Sequence, residues 1–102
     1  MNRLVANKKE AIGELCRRYR VRRLELFGSA AGDRFDEKSS DLDFLVEFEE
    51  FGPSEYSEAY FGLLEGLRSL FDREIDLVVL AAVKNPYFRE SIERSRTALY
   101  AA

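Results

Sequence analysis

The stretch Leu24–Phe48, LELFGSAAGDRFDEKSSDLDFLVEF, decides the fold that this sequence predicts. Two short apolar runs, Leu24–Phe27 and Leu42–Phe48, lie on either side of a polar loop. Each run has the length of a β-strand and is rich in Leu, Phe and Val, so each predicts a strand. The loop begins with Gly28-Ser29, and Asp41 closes it. The candidate functional residues therefore lie where the first predicted strand ends and the second begins.

Two aspartates, Asp41 and Asp43, mark the start of the second run. Side chains at positions i and i+2 of a strand project from the same face, so these two carboxylates point the same way. Like charges held this close repel each other unless a positive charge lies between them. Mg²⁺, which prefers carboxylate and phosphate oxygens, is the cation that such a pair favours.

The dipeptide Gly28-Ser29 directly follows the first strand. Glycine lets the backbone approach a ligand closely, and successive N–H groups in such a turn form an anion-binding nest. Alone, a Gly-Ser dipeptide is usually only a turn, and an Asp-x-Asp pair is usually a solvated strand end. In this order they favour a site for phosphoryl or nucleotidyl transfer, with one half for phosphate and one for metal.

With these motifs the chain resembles the minimal nucleotidyltransferases, small relatives of the polymerase-beta superfamily. Its FGS and SDLDFLV segments match their Gly-Ser and Asp-x-Asp motifs, and Asp76 in EIDLVV matches their third aspartate. The resemblance implies that Asp41, Asp43 and Asp76 are catalytic residues and hold two Mg²⁺ ions. It also implies that Gly28 and Ser29 bind the β- and γ-phosphates of ATP, the nucleotide donor.

The sequence departs from the family pattern in the part that grips the triphosphate. Ala30 and Ala31 stand where an Arg is often found, and Arg34 is the candidate to replace that Arg. The spacer between Ser29 and Asp41 is also longer than is usual in the family. A binding module that neutralises its partner by complex formation, with weak or no catalysis, is therefore an open alternative.

The resemblance implies that AMP passes to a hydroxyl of another protein. Family members of this size lack the second domain that holds the acceptor in larger relatives, so the partner would supply the acceptor. The implied partner is a HEPN-type helical toxin, silenced by AMP on a tyrosine, with this chain as its antitoxin. Transfer to a small molecule, which would need an acceptor pocket made by a homo-oligomer, is a third alternative.

Composition sets limits that agree with this interpretation. The chain has 102 residues, of which 46% are hydrophobic and 34% are charged, and this predicts one folded domain over residues 1–102. One Cys and no His exclude zinc sites and His-dependent triads. No apolar run is long enough to span a membrane, and no signal-peptide pattern opens the chain. The lone Cys16 is expected in the core and fits a reducing cytoplasm.

Charge is distributed unevenly along the chain. Residues 1–23 hold eight Lys or Arg and two Asp or Glu, whereas residues 24–102 hold eight and seventeen. The basic cluster is most simply the solvated face of a helix and the turn that follows it. The alternative is that its arginines face an acidic partner or nucleotide phosphates. The net charge of −3 argues against a dedicated nucleic-acid binder.

Periodicity predicts an α/β (α+β) fold with a central mixed sheet and helices packed mainly on one face. A helical turn is also expected near Ser29–Gly32. Besides the two strands already described, the predicted elements are a helix over Val5–Tyr19, a helix from the N-cap Ser54 to Asp72, a strand over Arg73–Leu80, a helix from the N-cap Asn85 to Arg94 and an edge strand over Thr97–Tyr100.

Three further expectations concern packing. Gly62 and Gly66, one helical turn apart, are expected to mark close packing of their helix against the sheet. Phe88 and Ile92 are the predicted inward residues of the last helix. Asp76 stands within an apolar strand, where burying a carboxylate is costly unless it is paired.

Overall fold

The two apolar runs beside the polar loop are strands, as their patterns predict, and they pair with each other; the first begins at Val21 rather than at Leu24. In the computed structural model they are the antiparallel strands β1 (Val21–Phe27) and β2 (Leu42–Phe48). The structure describes residues 2–32 and 41–102. The other elements in this part of the chain are the helices α1 (Arg3–Ala6), α2 (Lys9–Arg18), α3 (Pro53–Phe71) and α4 (Pro86–Ser95), the strands β3 (Ile75–Val79) and β4 (Thr97–Ala101), and two 3-10 turns, Gly28–Ala31 and Leu80–Ala82.

The four described strands form one mixed sheet in the order β3-β2-β1-β4. Strands β1 and β2 are antiparallel, β3 joins β2 in parallel through α3, and β4 adds an antiparallel edge beside β1. The main core lies between the sheet and helices α2 and α3, where Leu24, Phe44 and Leu63 are fully buried. Helix α4 covers part of the other face through Ile92, which packs with Phe27 and Leu45. The predicted mixed α/β sheet is confirmed.

The helix predicted over Val5–Tyr19 is two helices with a break at Asn7–Lys8. Asparagine is a poor residue for a helix interior and a good one at helix ends, and Asn7 caps α1. The side chain of Asn2 accepts hydrogen bonds from the backbone N–H groups of Leu4 and Val5 at the other end. The break lets Val5 enter the core, where it is fully buried.

Helix α3 begins two residues earlier than predicted. Its N-cap is Gly52, not Ser54, because Pro53 takes the first helical position, for which its fixed φ is suited. Gly62 and Gly66 do mark close packing, but against the α2 region rather than against the sheet. A Cβ on Gly62 would overlap the ring of Tyr19, and one on Gly66 would meet the side chain of Leu15.

The last third of the chain follows its local signals. Asn85 caps α4 by accepting hydrogen bonds from two backbone N–H groups, and Pro86 follows it as the first helical residue. The predicted edge strand is β4. Strand β3 is shorter than expected, since the residues after Val79 turn away from the sheet. Phe88 was predicted to face inward but is 42% exposed, and its ring contacts that of Phe27 in a T-shaped arrangement.

Cys16 occupies the predicted place in the core and is fully buried. Burial raises the pKa of its thiol from 9.0 to about 12, with the nearby Arg17 opposing the rise. No helix in residues 2–32 or 41–102 has the length and apolar composition that crossing a membrane requires.

Candidate active site

The candidate residues lie close together at one end of the strands because of the topology of the sheet. The antiparallel pairing brings the end of β1 beside the start of β2, and Phe27 is the register partner of Asp43. The parallel pairing brings the start of β3 beside the start of β2, and Asp43 is also the partner of Asp76. The sheet thus gathers Gly28, Asp43 and Asp76, which are distant in the sequence.

Asp43 and Asp76 form a pair of carboxyl groups close enough to share a hydrogen bond. The pKa of Asp43 is raised from 3.8 to about 7, chiefly by burial, then by this hydrogen bond and by the charges of Asp76 and Asp41. The smaller contributions from Asp76 and Asp41 show that three carboxyl groups act on one another here, in addition to the larger effect of burial. A divalent cation would relieve their mutual repulsion.

Asp41 and Asp76 differ from Asp43 in exposure. Asp41 immediately precedes β2 and is exposed, and its charge acts on Asp43. The expectation that Asp76 is buried in its strand is wrong: Asp76 is exposed, because it faces the side of the sheet opposite the buried Ile75 and Leu77, the side that α4 covers only in part. Within residues 2–32 and 41–102, no three Asp, Glu, Cys or His side chains are already gathered as a metal site.

Gly28 occupies a position where any other residue would have a strained backbone and a side chain that overlaps its neighbour. Its φ of +69° lies in the left-handed region, where side chains are strained. A Cβ at this position would lie 2.5 Å from Oδ2 of Asp43. The backbone of the Gly28–Ala31 turn therefore packs directly against the Asp43 carboxyl group, and only glycine permits this approach.

The rest of the predicted phosphate grip divides into two parts. The predicted helical turn is present at Gly28–Ala31, with Ser29 half-buried and Ala30 buried. Arg34, the predicted additional phosphate ligand, lies in residues 33–40, outside the described residues. The structure thus brings Gly28, Asp43 and Asp76 together and is silent on Arg34.

Sequence reasoning missed two groups beside this site. The hydroxyl of Ser95, at the end of α4, accepts a hydrogen bond from the Gly28 N–H at 2.8 Å. Next to Ser95, the Arg96 guanidinium donates to both carboxylate oxygens of Glu25, which is only 8% exposed on β1. The argument applied to Asp76, that an acid within an apolar strand needs a partner, would have identified Glu25 instead.

Tyr60 is a third neighbour that the sequence did not single out for chemistry. Its hydroxyl donates a hydrogen bond to the carbonyl oxygen of Leu77 at 2.6 Å. Burial raises the pKa of this hydroxyl, and the nearby Tyr56 and Asp76 raise it further. Helix α3 is thereby attached to β3 one residue beyond Asp76.

At its C-terminal end, the basic cluster of residues 1–23 lies away from the Gly28–Ala31 turn. Arg20 and Arg22 are exposed and contact Glu55 and Glu47, respectively. They flank the start of β1, whereas Gly28 follows its end, so about 20 Å separates Arg22 from the turn at 3.4 Å per residue. At this end of the cluster, the interpretation as a solvated face fits better than contact with phosphates at the turn.

The Gly-Ser turn, the Asp-x-Asp pair and the third aspartate, the motifs by which the chain resembles nucleotidyltransferases, thus lie together at one end of the central strands. A family model described as a nucleotidyltransferase domain matches residues 8–99. This chain belongs to the nucleotidyltransferase family, and it is therefore a nucleotidyltransferase enzyme, as its motifs predict.

Individual relatives agree with this assignment. A Methanocaldococcus jannaschii protein named "Putative protein adenylyltransferase MJ1379" is 39% identical over 77 residues, which are 74% of each chain. A solved structure described as a "putative minimal nucleotidyltransferase" is 32% identical, with a TM-score of 0.69 over 91% of this chain and 90% of that chain. The resemblance to minimal nucleotidyltransferases is confirmed.

A more distant likeness concerns a toxin–antitoxin crystal structure with AMP-PNP. One of its chains is 22% identical, with a TM-score of 0.66 over 92% of this chain and 73% of that chain. At this level of identity the likeness shows the fold alone.

Proposed function

We propose that this chain is a Mg²⁺-dependent adenylyltransferase that transfers AMP from ATP to a tyrosine hydroxyl of a HEPN-type toxin and so acts as its antitoxin. The observation that carries the proposal is the contact between the Gly28 backbone and Asp43, with Asp76 in register beside them. In this arrangement a candidate phosphate-binding turn and two carboxylates are neighbours at the same end of the strands.

The carboxylates fit the metal that the family implies. Asp41, Asp43 and Asp76 offer the oxygen ligands that Mg²⁺ prefers. A cation would also offset the repulsion that Asp76 and Asp41 add to the effect of burial on Asp43. When bound, two Mg²⁺ ions would stabilise the attacking and the leaving oxygens during transfer. Asp41 and Asp43 would hold the ion on the triphosphate side, and Asp43 and Asp76 the ion on the acceptor side.

The chain's own residues would position the reactants. Gly28, which lacks a Cβ, lets the turn lie against Asp43, so a triphosphate bound at the turn would lie beside that carboxylate. Ser29 would donate hydrogen bonds to its outer phosphates. Arg34 would add charge to that grip. The acceptor oxygen would then lose its proton and bond to the α-phosphorus, while the bond from that phosphorus to pyrophosphate breaks.

A protein acceptor is supported by the named relative and by the surface. The Methanocaldococcus jannaschii relative carries the name of a protein adenylyltransferase. Phe61 on α3 is 60% exposed and Tyr87 on α4 is 80% exposed, and a protein partner would cover such rings. The toxin–antitoxin complex of similar fold supports a toxin as that partner. We place the activity in the cytoplasm, which suits the single buried thiol.

Incubation with α-³²P-labelled ATP, Mg²⁺ and a co-encoded helical partner tests the proposal. Label should appear on the partner with wild-type protein and be absent with the double variant Asp41→Asn/Asp43→Asn. Loss of label after a partner Tyr→Phe substitution would locate the acceptor. Equal labelling by wild type and double variant would overturn the proposal.

Ala30 and Ala31, where the family often has an Arg, keep the alternative of an inactive binding module open. Calorimetry separates the two functions, because a vestigial site predicts no Mg²⁺-dependent binding of ATP. A wild-type protein that binds the partner tightly, binds no Mg-ATP and transfers no label would establish the alternative.

A further inference from the structure

The hydroxyl of Ser95 connects the end of α4 to the Gly28–Ala31 turn. Ser95 Oγ accepts a hydrogen bond from the Gly28 N–H at 2.8 Å and donates one to the carbonyl oxygen of Ser91 at 3.3 Å. The hydroxyl proton is therefore directed along α4, and an oxygen lone pair is left for Gly28. Both contacts join Ser95 to backbone atoms, so they depend on its hydroxyl and on no other side chain.

The neighbouring residue holds Ser95 in place. Arg96 donates from Nε to Glu25 Oε2 at 3.2 Å and from a terminal nitrogen to Oε1 at 2.5 Å. Glu25 lies on β1 and Gly28 directly follows that strand, so two successive residues, Ser95 and Arg96, attach the end of α4 to β1 and its turn. Bidentate pairing of this kind fixes orientation as well as distance.

The contact decides which donors of the turn are available. The first N–H groups of a helical turn have no partner within the turn, and the Gly28 N–H is satisfied by Ser95. The N–H and the hydroxyl of Ser29 come next in the chain. Gly28 meanwhile keeps the φ of +69° that brings its backbone against Asp43.

We propose that Ser95 is a positioning residue for nucleotide binding: it holds the Gly28 N–H so that Ser29, rather than the Gly28 amide, presents its donors to the phosphates. This inference rests on the proposed function, since it assumes that the turn binds a nucleotide. Ser95 itself touches neither phosphate nor metal in this arrangement. Its effect passes through the conformation of Gly28.

The substitution Ser95→Ala tests the inference through two measurements. By NMR, the Gly28 amide should exchange with solvent faster than in the wild type, because its hydrogen-bond acceptor is gone. By calorimetry with Mg²⁺ and α,β-methylene-ATP, which cannot transfer AMP, affinity should fall roughly 3- to 10-fold, the worth of one lost hydrogen bond. The melting temperature recorded on the same samples shows that the fold is retained.

Two variants separate positioning from a general effect on α4. Ser91→Ala, one turn earlier on the same helix, keeps the backbone carbonyl that Ser95 uses and should match the wild type in both measurements. Ser95→Thr retains the hydroxyl and should restore both Gly28 protection and affinity.

The outcomes distinguish the two proposals. Wild-type affinity and unchanged Gly28 exchange in Ser95→Ala would overturn the positioning role alone, as would faster exchange with wild-type affinity. Failure of the wild-type protein to bind the analogue would overturn the proposed function and the positioning role together.

Discussion

Asp43 couples the candidate site to the stability of the fold through its proton. Its folded pKa is about 7, against an ordinary value of 3.8. Between these values the folded protein keeps a proton that the unfolded chain releases, so stability falls as the pH rises through this window. Without metal, the free energy of unfolding should therefore be larger at about pH 5 than at about pH 8, a difference that urea titrations would measure.

The variant Asp43→Asn removes this titration and should flatten the dependence on pH. Glu58→Gln, at an exposed position on α3, serves as the control and should keep the wild-type dependence. A dependence as steep in Asp43→Asn as in the wild type would show that another group carries it. Mg²⁺ should bind more tightly as the pH rises through about 7, since the ligand must be deprotonated.

Asp76 gives a prediction in which stability and activity change in different directions. Asp76→Asn removes one charge from the crowded carboxyl pair and can offer an amide donor to Asp43. Without Mg²⁺ at about pH 8, its melting temperature should equal or exceed that of the wild type. If Asp76 holds the ion on the acceptor side, AMP transfer should fall by orders of magnitude while some Mg-ATP binding remains.

Melting curves and transfer assays on Asp76→Asn and Glu74→Gln check this prediction. Glu74 is an exposed acid just before β3, and its substitution should leave transfer unchanged. An Asp76→Asn protein that melts several degrees lower without metal and still transfers AMP would show that the third carboxylate is misassigned.

At the scale of elements, the seam between α2 and α3 depends on two glycines. Gly62→Ala would place a methyl group in the ring of Tyr19, where the neighbouring atoms have no free space. Overpacking of this kind costs about 1–3 kcal/mol, more than alanine gains over glycine in a helix interior. Gly62→Ala should therefore lower the free energy of unfolding.

Gly13→Ala on α2 is the matched control for this substitution. Its Cβ would meet only the flexible end of Arg17, so the helix should gain about 0.5–1 kcal/mol. Urea unfolding of both variants measures the two effects. Stabilisation by Gly62→Ala would mean that Tyr19 moves aside at little cost.

The elements that the sequence predicts well are those whose signals are local. Strand β2 has its predicted bounds because its apolar residues form one nearly continuous run, and α4 starts where Asn85-Pro86 places it. The partner of Gly62 depends on how two helices meet, which no window of sequence contains. Phe88 was misplaced for the same reason, since α4 covers only part of its face of the sheet.

In the candidate site, too, residues with a local sequence signal were predicted and residues defined by tertiary contacts were missed. Asp41, Asp43 and the Gly28–Ala31 turn are recognisable from adjacent residues, and Asp76 from its strand. Ser95 contacts Gly28 across 67 residues of sequence, and Glu25 pairs with Arg96 across 71. A single serine near a helix end carries no signal of its own, so only the topology reveals that contact.

For the whole molecule, the position of Cys16 has a practical use in kinetics. A thiol reacts with a disulfide reagent only as the exposed thiolate, and Cys16 is fully buried in the main core with a pKa of about 12. At about pH 8 its labelling should be at least on the order of 1,000-fold slower than in the unfolded chain, if opening costs 5 kcal/mol or more.

The labelling rate therefore reports how often the core of the protein opens. If the core opens only when the whole domain unfolds, the logarithm of the rate should rise with urea with the slope of global unfolding. A fast rate that is insensitive to urea would instead mean that α2 leaves the sheet by itself. Since the sequence holds a single thiol, each molecule that reacts records one opening of the core without any engineered probe.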